Sequence, residues 1–137
     1  MNSLASANDI LSIARKEIGY HEGKNKDNKF GKWYGMNNAA WCMIFCQWAY
    51  AQAGSALPFK TASCSALLNW YRQNQPECVV KTPEPGCLVI FDLPNTGVIT
   101  DHVGLFEKME GDYVTTVDGN TSSSNDANGG YTRERKH

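Results

Sequence analysis

Trp41-Cys42-Met43-Ile44-Phe45-Cys46-Gln47-Trp48 directly follows the small and polar segment Gly35-Met36-Asn37-Asn38-Ala39-Ala40. Small polar residues ahead of an apolar run mark a helix start, with Asn37 or Asn38 available as its cap. Cys42, Phe45, Cys46, Ala49 and Ala53 recur at helical spacing and Gly54 is a natural stop, so the pattern predicts a helix over 41–53. Cys42 then lies in the first turn. There the positive end of the helix dipole and unpaired backbone N–H groups favour thiolate over thiol, and thiolate is the nucleophile.

Working outward from this helix, Ser6-Ala7-Asn8-Asp9 opens an earlier one. Its buried stripe is Ile10, Leu11, Ala14 and Ile18, and Gly19 ends it. From Gly19 to Ala40 the chain is polar and reads as a long loop, but Tyr20, Phe30, Trp33 and Tyr34 argue that the loop is ordered. A third helix is expected over about 63–73, with Leu67, Leu68 and Tyr71 turned inward. Pro76, Pro83 and Pro85 mark a change to β structure. Pro85-Gly86 reads as a turn and Cys87-Leu88-Val89-Ile90-Phe91 as a central strand. Further strands are expected over 103–106 and 113–118, joined by a polar hairpin loop over 107–112. A turn-rich loop spans 119–130, and a last short strand starts at Tyr131. With no internal repeat and no dividing linker, this is one domain over 1–137. Helices followed by an antiparallel meander make an α+β layout.

Formal net charge is −1, so the 137-residue chain has no global basic field for nucleic acid or an anionic membrane. No apolar run approaches a membrane span. Met1-Asn2-Ser3-Leu4-Ala5-Ser6 lacks the pattern of a secretory signal, which leads to an expectation of synthesis in a cytoplasm and release by another route, or of a signal already removed. The five cysteines, Cys42, Cys46, Cys64, Cys78 and Cys87, are odd in number and not spaced like a disulfide framework. A reducing compartment of synthesis is the simpler reading, with Cys64–Cys78 or Cys78–Cys87 pairing left open. Apart from Cys42, each cysteine is read as a small buried apolar residue.

The candidate chemistry is that of a cysteine hydrolase. A hairpin between the second and third strands sets His102 across from Asp118, and a register shift of two residues leaves both on one face because strand side chains alternate. Asn120 shares that face. Cys42 would attack an amide carbonyl, His102 would shuttle the proton, and Asp118 would orient the imidazole. The backbone N–H of Cys42 offers half of an oxyanion hole, with Tyr34, Asn37 and Asn38 as candidates for the other half. Asp101 is a rival partner for His102, but chain neighbours on a strand point to opposite faces.

These residues resemble the CHAP domain, the cysteine- and histidine-dependent amidohydrolase/peptidase family. The segments that carry the resemblance are Gly19-Tyr20-His21-Glu22, Phe30-Gly31-Lys32-Trp33-Tyr34-Gly35, Ala40-Trp41-Cys42-Met43-Ile44-Phe45 with Trp48, Pro85-Gly86, Asp101-His102-Val103-Gly104-Leu105 and Asp118-Gly119-Asn120-Thr121. The resemblance implies a papain-like α+β fold with N-terminal helices packed on an antiparallel sheet. It also implies cleavage of an amide bond of bacterial peptidoglycan, as an N-acetylmuramoyl-L-alanine amidase or an endopeptidase. Cys42 is the implied nucleophile, His102 the base and Asp118 the acidic orienter, with Asn120 at a nearby polar position. The family often has Glu where Asp118 stands and an acidic residue where Cys87 stands, so the partner of His102 stays open between Asp118 and Asn120. A phage endolysin, a lysin fragment or a secreted autolysin fits this pattern. An NlpC/P60-type endopeptidase and an inactive wall-binding module are the alternatives.

No cofactor is expected. Calcium needs about six to eight oxygens, and Asn25, Asp27 and Asn28 stand among Lys24, Lys26 and Lys29. Cys42, Cys46 and His102 would make an incomplete zinc site. Trp33, Tyr34 and Trp41 are candidates for a substrate groove, with Trp48 and Trp70 assigned to the core. His21 reads as solvated or as a substrate contact, and His137 is set aside as a boundary residue. Arg133, Arg135 and Lys136 read as a solvated basic end. The expected partner is peptidoglycan, met by a monomer.

Overall fold

The structure is a computed structural model and describes residues 6–91, 102–122 and 129–137. Asp101 and much of the 119–130 loop lie outside the described residues, as does the start of the chain. Helices α1 (Ala7–Arg15), α2 (Lys29–Tyr34), α3 (Cys42–Gln52) and α4 (Cys64–Asn74) precede strands β1 (Leu88–Phe91), β2 (His102–Glu110), β3 (Tyr113–Thr121) and β4 (Tyr131–Lys136). The strands form one antiparallel sheet in the order β1-β2-β3-β4. This is the α+β meander expected from the sequence.

Local chemistry sets the helix bounds. Ser6 and Asp9 form a reciprocal capping box on α1, a device that stabilises a helix by about 1 kcal/mol. Ile10, Leu11 and Ala14 are buried as expected, but the helix stops at Arg15. Ile18 therefore leaves the stripe and is exposed. The 19–40 segment is more structured than its polarity suggests. Asn28 caps α2 by accepting from the Gly31 N–H, Phe30 anchors α2 in the core, and Gly35 ends it in the left-handed region.

Helix α3 is the hub of the core. Cys42, Met43, Ile44, Phe45, Cys46 and Ala49 are all buried, joined by Val103, Leu105 and Val117 from the sheet. Gly119 lets β3 approach α3 closely, because a Cβ there would stand 2.6 Å from the Phe45 Cβ. The turn between β2 and β3 is only Gly111-Asp112, so β2 runs further than expected. Its polar second half stays in the ladder, with Lys108 paired to Thr115 and Glu110 to Tyr113. The C-terminal basic residues are not a loose end but β4. There Arg133 lies over the Tyr131 ring, and Arg135 donates to the Thr121 hydroxyl.

Candidate active site

The sheet register decides whether His102 can meet Asp118. Near the turn, Glu110 pairs with Tyr113 and Lys108 with Thr115. Carried unchanged along the hairpin, that register would point His102 and Asp118 to opposite faces. A bulge intervenes: Phe106 pairs with Thr116, so Glu107 is the extra residue on β2. The slip of one residue turns His102 and Asp118 to the same face. Glu107 is itself buried, and the Arg15 Nε donates to it at 2.6 Å, which ties the bulge to α1.

Gly104 completes the juxtaposition. The register that pairs Leu105 with Val117 sets Gly104 beside Asp118, two residues from His102. The Asp118 carboxylate crosses over Gly104 to reach the imidazole, and a Cβ on Gly104 would stand 2.1 Å from Asp118 Oδ1. His102 Nε2 and Asp118 Oδ2 are then 2.7 Å apart, both side chains fully buried. Thr116 donates its hydroxyl to Asp118 Oδ1. Asp118 is therefore the hydrogen-bonding partner of His102. Asn120 is buried on a left-handed backbone (φ 55°), and its Oδ1 accepts from the Gly130 N–H, a conformation that Asn tolerates better than most residues.

His137, set aside on sequence grounds, reaches this cluster. Phe91 ends β1 and His137 directly follows β4, the opposite edge strand, yet their rings are 4.1 Å apart. The sheet is thus coiled around the face that carries His102. His137 Nε2 lies 3.2 Å from Asp118 Oδ2.

Cys42 lies in the first turn of α3, as expected, but Trp41 is the cap rather than the first helical residue and supplies no side-chain hydrogen bond. Asn37 is used elsewhere: it accepts from the Asn28 N–H and donates to Asp27. Asn38 donates to the Asn25 carbonyl. Both amides fasten the segment before the helix, so neither caps α3. Trp41 is fully buried, packed against Phe30 and Tyr20, and its Nε1 donates to Glu22 at 2.8 Å. A ring so enclosed presents no face to a substrate, which corrects its assignment to the groove; its effect is to fix where the helix, and with it Cys42, begins. Trp33 keeps 40% of its surface exposed, and Lys60 stands over the Trp33 and Tyr34 rings. His21 stacks on Tyr131.

Three partners hold the Cys42 thiol well below the usual thiol range. A hydrogen bond from Cys64 acts most strongly, followed by the hydrogen bond and charge of His102 and by the Val103 backbone; burial opposes them. Burial also works against the His102 cation, but Asp118 and Cys42 outweigh it and push its pKa up to about 9. Asp118, despite burial, is held below the ordinary carboxylate range by His102, His137 and Thr116. Together these shifts favour a thiolate–imidazolium pair. With Nε2 committed to Asp118, Nδ1 is the ring nitrogen left for Cys42. It is buried and has no partner at full hydrogen-bonding geometry among the described residues. Such contacts often tighten only when substrate is bound.

The proximity of Cys64 to Cys42 went unseen in the sequence, where Cys64 read as plain core. Cys42, Cys46, Cys78 and Cys87 are free thiols, and Cys78 is exposed rather than buried. Asp27 is engaged by Asn37 and Lys32. Among the described residues no cluster of three or more His, Cys, Asp or Glu side chains could hold a metal ion. Nor is any of their helices long and apolar enough to cross a membrane. An apolar cleft of about 670 Å³ between α4 and β1, lined by Leu67, Tyr71, Val80 and Ile90, excludes Cys42, His102 and Asp118.

The CHAP-domain family model matches residues 33–120, a span that includes Cys42, His102, Asp118 and Asn120. No curated protein and no solved structure matches the chain. The family match carries a peptidoglycan-related amidase or peptidase class.

Proposed function

Because the chain belongs to the CHAP-domain family, we propose that it is a peptidoglycan hydrolase that cuts an amide bond through a Cys42 acyl-enzyme. The observation that carries this reading is the juxtaposition at the head of α3. Cys42 lies in the first turn beside His102, and the far nitrogen of His102 is held 2.7 Å from a buried carboxylate.

The Cys42 thiolate attacks the scissile carbonyl carbon, and the developing oxyanion takes the unpaired first-turn N–H of Cys42. The C–N bond then breaks as the His102 imidazolium gives its proton to the leaving amine. Water enters, His102 takes its proton, and hydroxide attacks the thioester. The carboxylic acid leaves and the Cys42 sulfur is free again. Asp118 holds the ring orientation and stabilises the imidazolium throughout. Trp33 and Tyr34 flank the approach as the substrate-binding aromatics. Asn120 acts indirectly, by holding the β3 end against Gly130. The protein works as a lysin catalytic unit of the endolysin type, made in a cytoplasm and acting on the wall.

The test is incubation of wild type and Cys42→Ala with purified walls of several Gram-positive peptidoglycan types. Turbidity and the mass of released fragments are followed. Clearing by wild type alone is expected, and the new chain ends identify the bond. Equal behaviour of the two proteins, with binding but no new ends, would replace this reading with a wall-binding module.

A further inference from the structure

Two imidazoles converge on one oxygen of Asp118. His102 Nε2 stands 2.7 Å from Oδ2, and His137 Nε2 stands 3.2 Å from the same atom. The Thr116 hydroxyl takes the other oxygen, Oδ1. His137 has no part in the reaction described above, yet it is firmly built in. Its backbone N–H donates to the Val114 carbonyl at 2.8 Å, and its carbonyl accepts from the Val114 N–H at 3.1 Å, so the β3–β4 pairing extends to it. Only 11% of its side chain is exposed. The Phe91 ring packs on it from β1 at 4.1 Å, and the His102 ring lies 6.3 Å away.

We propose that His137 is a positioning residue: its Nε2–H donates to Asp118 Oδ2 and holds the carboxylate in the orientation that grips His102. An ionised carboxylate only accepts hydrogen bonds, so the imidazole nitrogen that faces it carries a proton. The last torsion of an Asp side chain is broad and soft, so one bond to His102 alone would leave the carboxylate plane free to turn. Gly104, over which the carboxylate lies, has no side chain to wedge it. Thr116 on one oxygen and His137 on the other fix both ends of the plane. Asp118 is fully buried, so bulk water does not replace either donor. Phe91 covers one side of the His137 ring, and in such surroundings a hydrogen bond to a charged acceptor gains strength. His137 meets Asp118, so it acts on the reaction through the carboxylate.

The inference rests on the proposed roles of Cys42, His102 and Asp118, and two substitutions separate the donor from the ring. His137→Gln keeps an N–H at nearly the reach of Nε2 and loses the ring. His137→Phe keeps a ring against Phe91 and loses the donor. Turnover of soluble wall fragments is measured for both and for wild type. Iodoacetamide labelling of Cys42 at about pH 6, read by peptide mass spectrometry, needs no wall. Circular dichroism and Tm report the fold. A loosened Asp118 supports the His102 imidazolium less, and with it the Cys42 thiolate. His137→Phe should therefore lower kcat about tenfold with KM within about twofold, and slow the labelling by a similar factor. His137→Gln should stay within about threefold of wild type in both readouts. Equal rates in all three proteins overturn the proposal. So does a loss in Gln as large as that in Phe or larger, because the ring and not the donor would then be the cause. If Phe fails to fold, wild type decides: heteronuclear NMR of the imidazole nitrogens should show a proton on His137 Nε2, and a bare Nε2 overturns the proposal. Fragments left uncut by wild type, with the labelling pattern present, would remove the wall reading and keep His137 as the support of Asp118. Cut fragments with the pattern absent would do the reverse.

Discussion

Cys42 in the first turn of α3 and Cys46 in the second are both buried, yet their thiols are driven in opposite directions. Cys46 is pushed well above the usual range by burial first, then by the charges of Cys42 and Asp118. Cys42 is drawn well below it by Cys64, His102 and Val103, against its own burial. About 5.4 Å of helix rise separates the two turns. By the second turn the backbone N–H groups are consumed: that of Phe45 already donates to the Trp41 carbonyl. Burial alone makes a thiol inert. Donors brought by both the helix end and the sheet reverse that effect at Cys42.

The largest effect expected from this contrast is its direct reversal by mutation. Cys42→Ala should lower wall-cleaving turnover by roughly 10⁴-fold or more. Cys46→Ala should leave turnover within about twofold and cost about 1 kcal/mol of stability, measured by denaturant melts. Equal losses in the two variants would erase the distinction between the turns.

Next in size is Asp118→Asn, which removes the carboxylate that holds the imidazolium. Turnover should fall about 10²- to 10⁴-fold. Gly104→Ala follows, at about 10- to 100-fold, because its Cβ and Asp118 Oδ1 cannot share the same space. Thr116 and His137 also hold this carboxylate, so any displacement takes it off His102 rather than into open solvent. Unchanged kcat/KM in Gly104→Ala would show that the close approach is incidental.

The smallest effect is in wild-type pH dependence. The working pair needs charged His102, so kcat/KM should fall tenfold per unit above about pH 9. The same group bears on stability. The fold raises the His102 pKa above its unfolded value of about 6.5. Its contribution is therefore complete below that value and is lost as pH rises through about 9. Asp118 runs the other way: its contribution is present above about pH 4 and lost as pH falls through its lower folded pKa. In Asp118→Asn the basic limb of activity should move to lower pH.

The place of Cys42 was legible because it is local. Helical spacing, a small polar lead-in and Gly54 were enough to find α3 and to seat Cys42 at its start. Strand alternation was enough to pair His102 with Asp118. The reason they pair was hidden: the turn is tighter than expected, and a bulge at Glu107, a residue that reads as polar loop, restores the face. The cap was misread because Asn37 and Asn38 look like caps, whereas tertiary bonds draw both amides into the 25–38 segment. Trp41 looked like a groove residue because its neighbour is the proposed nucleophile, and only the Glu22 bond and the aromatic packing around it show an anchor. Cys64 and His137 were missed for one reason: each meets the site across the fold. The unusual Gly104 inside a strand was the one available signal of a close approach.

The most direct test of the account is a thiolate titration. The ultraviolet thiolate absorbance of wild type is recorded against that of Cys42→Ala from about pH 4 to 10. The account predicts a difference that persists well below neutral pH, one thiolate per molecule that the variant lacks. A difference that emerges only near about pH 8.5, where an unperturbed thiol ionises, would contradict an activated nucleophile at the head of α3.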